Sequence, residues 1–229
     1  MHERWAVTDM ADMAPAMHRA IVCVDVAGYC DSRRTHRDQI AVREGLYGAI
    51  NAAFDNSGVR WRRCHHEDRG DGMLILVPSE IPKELLAGPL PVELAAALER
   101  HNLDASPATR IELRAAVHAG EVHHDRHGVV GNSINMAFRL LEAEPLKRAL
   151  RGSPGSLALI ASDWFYDEVV RHHPDSEPAA YRATYVSVKE TRTHGWIRLP
   201  GVPQPPLPTV PLGQHEPLVD LFTPDYEGW

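Results

Sequence analysis

The sequence predicts an α/β or α+β domain with one main sheet, because short apolar segments typical of strands interleave with segments of helical spacing. At 229 residues, one domain is the expected count. The chain has 24 Lys and Arg against 31 Asp and Glu, a net charge of −7. That balance argues against a general nucleic-acid binder, which needs surplus basic charge, but it leaves room for a small anion held by a local arginine cluster.

The first half of the chain contains the most informative pattern. Ala20–Asp25 is an apolar run that ends in an acid, which is typical of a buried strand with a carboxylate at its end. Residues 38–54 have helical spacing and stop at Asn-Ser-Gly. Segments 59–67 and 73–77 flank a glycine-rich turn, so they predict a hairpin with Asp71 at or near its tip.

The second half predicts further alternation. The expected elements are a helix over 91–101, a strand over 111–117 that turns at His118–Gly120 into a partner strand over 121–124, a helix over 131–141 capped by Asn132 or Ser133, a strand over 157–161, a helix over 162–170 capped by Ser162 or Asp163, and strands over 181–188 and 196–199.

The two ends of the chain differ from its middle. We expect a loose leader over 1–18, the domain over 19–200 and a proline-rich tail over 201–229, since eight of the last thirty residues are Pro. The tail is either a strap or disordered end, or a docking peptide for a protein partner. The leader does not fit a signal peptide, three cysteines without close pairing fit a reducing compartment, and no apolar run approaches the length of a membrane span. A cytoplasmic protein without membrane contact is therefore expected.

Two acids carry the candidate chemistry. A hairpin beside the first strand would bring Asp25 and Asp71 to one edge of the sheet, where two carboxylates repel unless a cation joins them. Few, hard oxygen ligands suit Mg²⁺ or Mn²⁺ that also holds substrate phosphates. The small-residue turn at 26–28 offers backbone N–H groups to an anion. The pattern predicts a site for a metal–nucleoside triphosphate.

Four sequence blocks resemble the class III nucleotidyl cyclases, in the family's order and covering about residues 20–200. They are Val22-Cys-Val-Asp-Val-Ala-Gly-Tyr29, Glu67-Asp-Arg-Gly-Asp-Gly-Met73, Leu113-Arg-Ala-Ala-Val-His-Ala-Gly-Glu-Val122 and Gly131-Asn-Ser-Ile-Asn-Met-Ala-Phe-Arg139. The resemblance implies an α+β fold of ferredoxin-like, palm type, with one mainly antiparallel sheet and helices packed on it.

The resemblance also implies roles. Asp25, Val26 and Asp71 would form a site for two divalent ions, and Ala27, Gly28 and Tyr29 would bind the substrate. Asn135 would orient the ribose and Arg139 would neutralise charge at the α-phosphate; four residues apart, they share one helix face. In this family the site forms between two domains, so a chain with one domain is expected to be a homodimer that converts a nucleoside triphosphate to a cyclic mononucleotide.

Departures from the family pattern bear on the base and on activity. Glu67 stands where guanylate cyclases carry Glu, Gly128 replaces the companion base reader, and Lys189 lies near the family's phosphate-binding Lys without the Gly that should follow. The bacterial pyrimidine cyclases of antiphage defence share this size and non-standard base readers. The base is thus guanine or a pyrimidine. The alternative function is a catalytically silent module that binds a nucleotide or a partner and dimerises.

Overall fold

A computed structural model describes residues 15–202, which build one eight-stranded sheet. Seven strands lie in the order β2-β3-β1-β4-β6-β8-β7, and β5 pairs only with β4. Every pairing is antiparallel except that of β4 with β6, which is parallel. The strands are β1 (Met17–Val26), β2 (His65–Asp68), β3 (Gly72–Pro78), β4 (Leu113–Asp125), β5 (Gly128–Val130), β6 (Leu157–Ser162), β7 (Arg182–Val188) and β8 (Thr191–Arg198).

Helices cover both faces of the sheet. They are α1 (His36–Asn56), α2 (Glu84–Ala87), α3 (Pro89–Asp104), α4 (Asn132–Leu141), α5 (Glu144–Arg151) and α6 (Asp163–Glu168). Alternation along β1 divides the core: Ala20, Val22 and Val24 pack with α1 and α3, while Ile21 and Cys23 pack with α4 and α5. The prediction of an α+β fold with one mainly antiparallel sheet is confirmed.

Local sequence accounts for where the helices begin and end. Thr35 and Asp38 form a capping box that starts α1, and Ser57 ends the helix. Ser162 accepts from the N–H of Phe165 at 3.1 Å and caps α6, one of the two predicted caps. The cap predicted for α4 is wrong by one residue, since Gly131 is its N-cap and no side chain caps it.

The predicted turn at His118–Gly120 is wrong. These residues continue β4 without a break, and Gly120 lies opposite Arg19 in the ladder with β1. A Cβ on Gly120 would lie 2.1 Å from Oγ of Ser133 at the start of α4. The glycine is therefore needed because α4 approaches the strand closely.

The strand predicted over 59–67 is mostly absent. Trp61–Arg63 forms a 3₁₀ turn and β2 begins only at His65. Trp61 is buried against the ring of Phe54 in α1, so its packing overrides the strand-like pattern. Residues 1–14 and 203–229, and with them most of the predicted leader and tail, lie outside the described residues, and β1 begins at Met17, before the predicted boundary at residue 19. In residues 15–202 no helix has the length and apolar character that a membrane crossing needs.

Candidate active site

The sheet brings Asp25 and Asp71 together. Asp25 is the penultimate residue of β1 and lies opposite Gly72 of β3, and the N–H of Val26 donates to the carbonyl of Asp71 at 2.8 Å. A Cβ on Gly72 would lie 2.0 Å from the carbonyl oxygen of Val24, so only glycine allows β3 to start this close to β1. The glycine after Asp71 thus fixes the separation of the two acidic residues.

Asp25 is paired with an arginine that the sequence analysis did not single out. Arg114 Nε and Nη2 donate to the two carboxylate oxygens of Asp25 at 2.8 and 2.7 Å, and both side chains are largely buried. The register of strand pairing brings the two residues together. Arg114 is the second residue of β4 and lies directly opposite Asp25 across the β1–β4 ladder. The ion pair could therefore be predicted from the sequence only if the pairing of β1 with β4 were already known.

Burial raises the pKa of Asp25 to about 6. Arg114 acts in the opposite direction, through its charge and its hydrogen bonds, and the nearby charge of Asp71 adds to the rise. A carboxylate held in this way is costly to ionise without a further cation. Its environment therefore favours a positively charged ligand at this edge of the sheet.

The turn after Asp25 provides unpaired N–H groups. Gly28 has φ +63°, a left-handed conformation that favours glycine, and the N–H of Ala27 donates to the carbonyl of Glu112 at 2.8 Å. The amides of Gly28, Tyr29 and Cys30 find no acceptor within residues 15–202. The side chain of Tyr29 packs against the core on the α1 side, so its backbone is the part that faces a ligand at the turn.

A basic cavity of about 600 Å³ adjoins this turn. Its acidic residues are Asp31, which pairs with Arg33, and Glu112. Its basic residues are Arg33, Arg34, Arg110, Arg114, Lys147 and Arg151. Such a surplus of positive charge in a concave site attracts a small polyanion.

Several of these cations lack partners. Nη1 of Arg34 is buried without a hydrogen bond, and the side chains of Arg110 and Lys147 make no ion pair with any described residue. Lys147 nonetheless lies close enough to Asp25 for its charge to lower the pKa of that acid. Phosphate oxygens would accept hydrogen bonds from these unsatisfied donors, and a metal ion would bind the acidic pair beside them.

A second cluster lies along α4. Asn135 is exposed and makes no side-chain hydrogen bond with the described residues. Arg139 is 17% exposed, with Nη2 at 3.1 Å from Glu190 Oε1 and Nη1 at 3.8 Å from Glu142 Oε2, while its Nε is buried without a partner. Lys189, at φ +50° in the β7–β8 turn, precedes Glu190 and so lies beside this cluster.

The two predicted base-reading positions are also adjacent. A Cβ on Gly128 would lie 3.1 Å from Oε1 of Glu67, although the two residues are far apart in the chain. Glu67 accepts from Arg69 Nη2 at 2.6 Å and lies 3.2 Å from His65 Nε2. None of the residues of α4, Glu67 or Gly128 lines the basic cavity. The predicted site residues on α4, Glu67 and Gly128 are therefore not part of the cavity lining, and Asp25 and Asp71 are not part of it either.

The sequence matches no protein-family model and no curated protein. Solved structures resemble the fold. The guanylyl cyclase Cya2 has a TM-score of 0.56 at 16% identity, over 81% of this chain and 92% of that one. The adenylate/guanylate cyclase/hydrolase from Silicibacter pomeroyi has a TM-score of 0.56 at 19% identity, over 81% and 98% of the two chains. The guanylate cyclase domain of RhGC from Catenaria anguillulae, in complex with GTP, has a TM-score of 0.51 at 17% identity, over 80% and 97%.

The protein is thus an α+β domain of palm type with an acidic pair at the edge of its sheet. More particularly, its fold is that of the class III nucleotidyl cyclase catalytic domains, which confirms the resemblance that the four sequence blocks predicted.

We expect Asp25→Asn to stabilise the metal-free protein above pH 6. An acid whose pKa is higher in the folded than in the unfolded state contributes stability that is complete below its unfolded pKa, near pH 4, and is lost as the pH rises through about 6. Asparagine keeps the shape without the charge, so its advantage is about 1–3 kcal/mol at pH 8 and closes toward pH 4. Urea unfolding of both proteins in the presence of a chelator, from pH 4 to pH 8, measures this difference in the free energy of unfolding. A difference that does not change with pH would contradict the raised pKa of Asp25.

Proposed function

We propose that this protein is a nucleotidyl cyclase that converts a nucleoside triphosphate to a 3′,5′-cyclic mononucleotide and pyrophosphate. The observation that carries the proposal is the acidic pair Asp25 and Asp71 beside a basic cavity in which Arg110 and Lys147 make no ion pair with any described residue. A triphosphate with divalent ions would supply negative charge to the cavity and a cation to the two carboxylates, of which only Asp25 already pairs with an arginine.

The donor set at this edge fits two Mg²⁺ or Mn²⁺ ions. Asp25 and Asp71 offer hard oxygen ligands, and Val26, whose N–H donates to the carbonyl of Asp71, would belong to the same metal site. No group of three or more His, Cys, Asp or Glu in residues 15–202 has the spacing of a self-sufficient metal site. Substrate phosphates would complete the coordination, as is usual for magnesium in phosphoryl transfer.

Divalent ions bound by the two carboxylates would lower the pKa of the ribose 3′-hydroxyl and offset charge on the phosphates. The 3′-oxygen attacks the α-phosphorus in line, a new O–P bond forms, and the bond to the β-phosphate oxygen breaks, so that pyrophosphate leaves and the hydroxyl proton passes to solvent. The turn amides at 28–30 and the basic cavity hold the distal phosphates before and after this step.

The residues of α4 complete the site from a second copy of the chain. Asn135 and Arg139 lie four apart on one helix and neither lines the basic cavity. Asn135 would orient the ribose of the partner's substrate. Arg139 would give up its ion pairs with Glu190 and Glu142. Its guanidinium would then stabilise charge at the α-phosphate, as transition-state arginines do in other phosphoryl-transfer enzymes. A homodimer would then hold two equivalent sites, and a monomer none.

The base-reading cluster supports guanine or a pyrimidine over adenine. Glu67 offers hydrogen-bond acceptors, which suit the N–H groups on the edge of guanine, while Gly128 offers no side chain at the companion position. Lys189 lies beside Glu190 in the turn that contacts Arg139, and in the proposed site it would approach the phosphates from the α4 side.

Turnover of the four ribonucleoside triphosphates by the full chain tests the proposal. With Mn²⁺, at a protein concentration where the dimer forms, we expect cyclic product and pyrophosphate from at least one of them, resolved by chromatography. Asp25→Ala and Asp71→Ala are each expected to abolish the signal. If the wild-type chain yields no cyclic product from any of the four, the enzyme proposal fails, and nucleotide binding without turnover would then support the silent module.

A further inference from the structure

Side chains alternate across the β2–β3 hairpin and divide its charges between two faces. Asp68 points toward α1, where it pairs with Arg43 and accepts from the hydroxyl of Tyr47 at 2.5 Å. Arg69 lies on the other side, with its guanidinium carbon 5.6 Å from the ring centroid of Phe138 in α4. Glu67 and Arg69, two residues apart, therefore share the α4 side of the hairpin.

Glu67 and Arg69 together present acceptors and donors side by side. Nη2 of Arg69 donates to Oε2 of Glu67 at 2.6 Å, and the remaining N–H groups of this guanidinium make no hydrogen bond with any described residue. A guanidinium has five donors in a rigid plane and no acceptor, whereas an ionised carboxylate only accepts. Phe138 packs against the guanidinium and limits its orientations.

The space beside Glu67 is open on the Gly128 side, and Arg69 is itself exposed to a ligand. Gly128 has φ +138°, a conformation that L side chains rarely adopt, and a Cβ there would lie 3.1 Å from Oε1 of Glu67. No side chain from β5 therefore reaches the space beside Glu67 at this point. Flat nucleobases are typically recognised by aromatic or guanidinium planes together with hydrogen bonds to their edges, and both elements are present here.

We propose that Arg69 is the second base-reading residue of the site and donates to a carbonyl oxygen of the base. This inference rests on the proposed function, which places the base beside Glu67. Glu67 would accept from an N–H of the base while Arg69 donates to a carbonyl oxygen on the same edge, and the arginine would take over the reading that Gly128 cannot supply. The substrate base then carries a carbonyl group, as guanine, uracil and cytosine do and adenine does not.

The ratio of kcat/KM for the best of GTP, UTP and CTP to that for ATP tests the inference. The wild-type chain is expected to prefer one of the first three. Arg69→Met keeps the packing stem without the donors, so we expect the ratio to fall about tenfold or more, the scale of losing a good base contact. Arg69→Lys restores one donor and is expected to give an intermediate ratio. Arg63→Met, an exposed arginine just before β2, is the matched control and should leave the ratio unchanged.

Two results would overturn the inference: a wild-type preference for ATP, or a ratio that Arg69→Met leaves within about twofold of wild type. Equilibrium binding of GTP, UTP, CTP and ATP in an Arg139→Ala background, measured by calorimetry, separates this failure from failure of the proposed function. Selective binding that depends on Arg69 without any turnover in the parent chain would sink the cyclase proposal and keep the base reader. Turnover whose base selectivity does not depend on Arg69 would support the cyclase proposal and overturn the role of Arg69 as a base reader.

Discussion

Two inactive variants, Asp25→Ala and Arg139→Ala, are expected to regain about one quarter of wild-type turnover when they are mixed. Each alone loses one half of every site. Removal of the transition-state arginine costs on the order of 10³–10⁵ in rate in comparable enzymes. In a randomly reassorted mixture about half of the dimers are heterodimers, and each of these rebuilds one of its two sites from an intact acidic pair and an intact α4.

The expectation rests on the proposed shared site and on the partners of Arg139, whose guanidinium pairs with Glu190 and Glu142 and makes no ion pair or hydrogen bond with Asp25 or Asp71. The acidic pair adjoins the basic cavity, whereas Arg139 is held by Glu190 and Glu142 outside that cavity. A matched mixture of Asp25→Ala with Asp71→Ala should stay inactive, since both changes fall in the same half of the site. Recovery in that control, or none in the first mixture, would show that the site is not shared between subunits.

Arg114→Gln is expected to lower kcat/KM by about 10²–10³ and to move the acid limb of the pH–rate profile upward. The rate is expected to fall because the arginine that lines the cavity and holds both carboxylate oxygens of Asp25 is lost. The limb moves because Arg114 lowers the pKa of Asp25, which burial otherwise raises. Asp25 must be ionised to hold a cation, so activity rises with pH through its pKa, and that pKa is higher without Arg114.

Steady-state kinetics across pH 5 to 9 measures both effects. Arg148→Gln, an exposed arginine on α5 that does not line the cavity, is the matched control and should leave the profile in place. A loss of activity in Arg114→Gln with an unmoved acid limb would mean that Asp25 is not the group whose ionisation limits activity.

Local signals in the sequence predicted most of the strands and helices and the two acidic residues of the candidate site. The apolar run before Asp25, the capping box of α1 and the Ser162 cap of α6 depend on neighbouring residues, so they could be predicted without the fold. The glycine-rich turn likewise pointed to Asp71 as a partner for Asp25. Four ordered motif blocks then indicated the fold that the solved cyclase structures confirm.

Only the tertiary structure decided the rest. The sequence predicted a turn at Gly120, but the residue continues β4 and allows α4 to approach the strand closely at Ser133. That contact cannot be read from neighbouring residues. Arg114 meets Asp25 through the β1–β4 register, and Arg69 meets the ring of Phe138 because α4 lies beside the β2–β3 hairpin. Lys147 and Arg34, which are far apart in the chain, line one cavity because α5 packs against β4 and β6. Sequence fixes what each residue can donate, accept or bury, whereas the pairing of distant segments fixes which of these capacities meet.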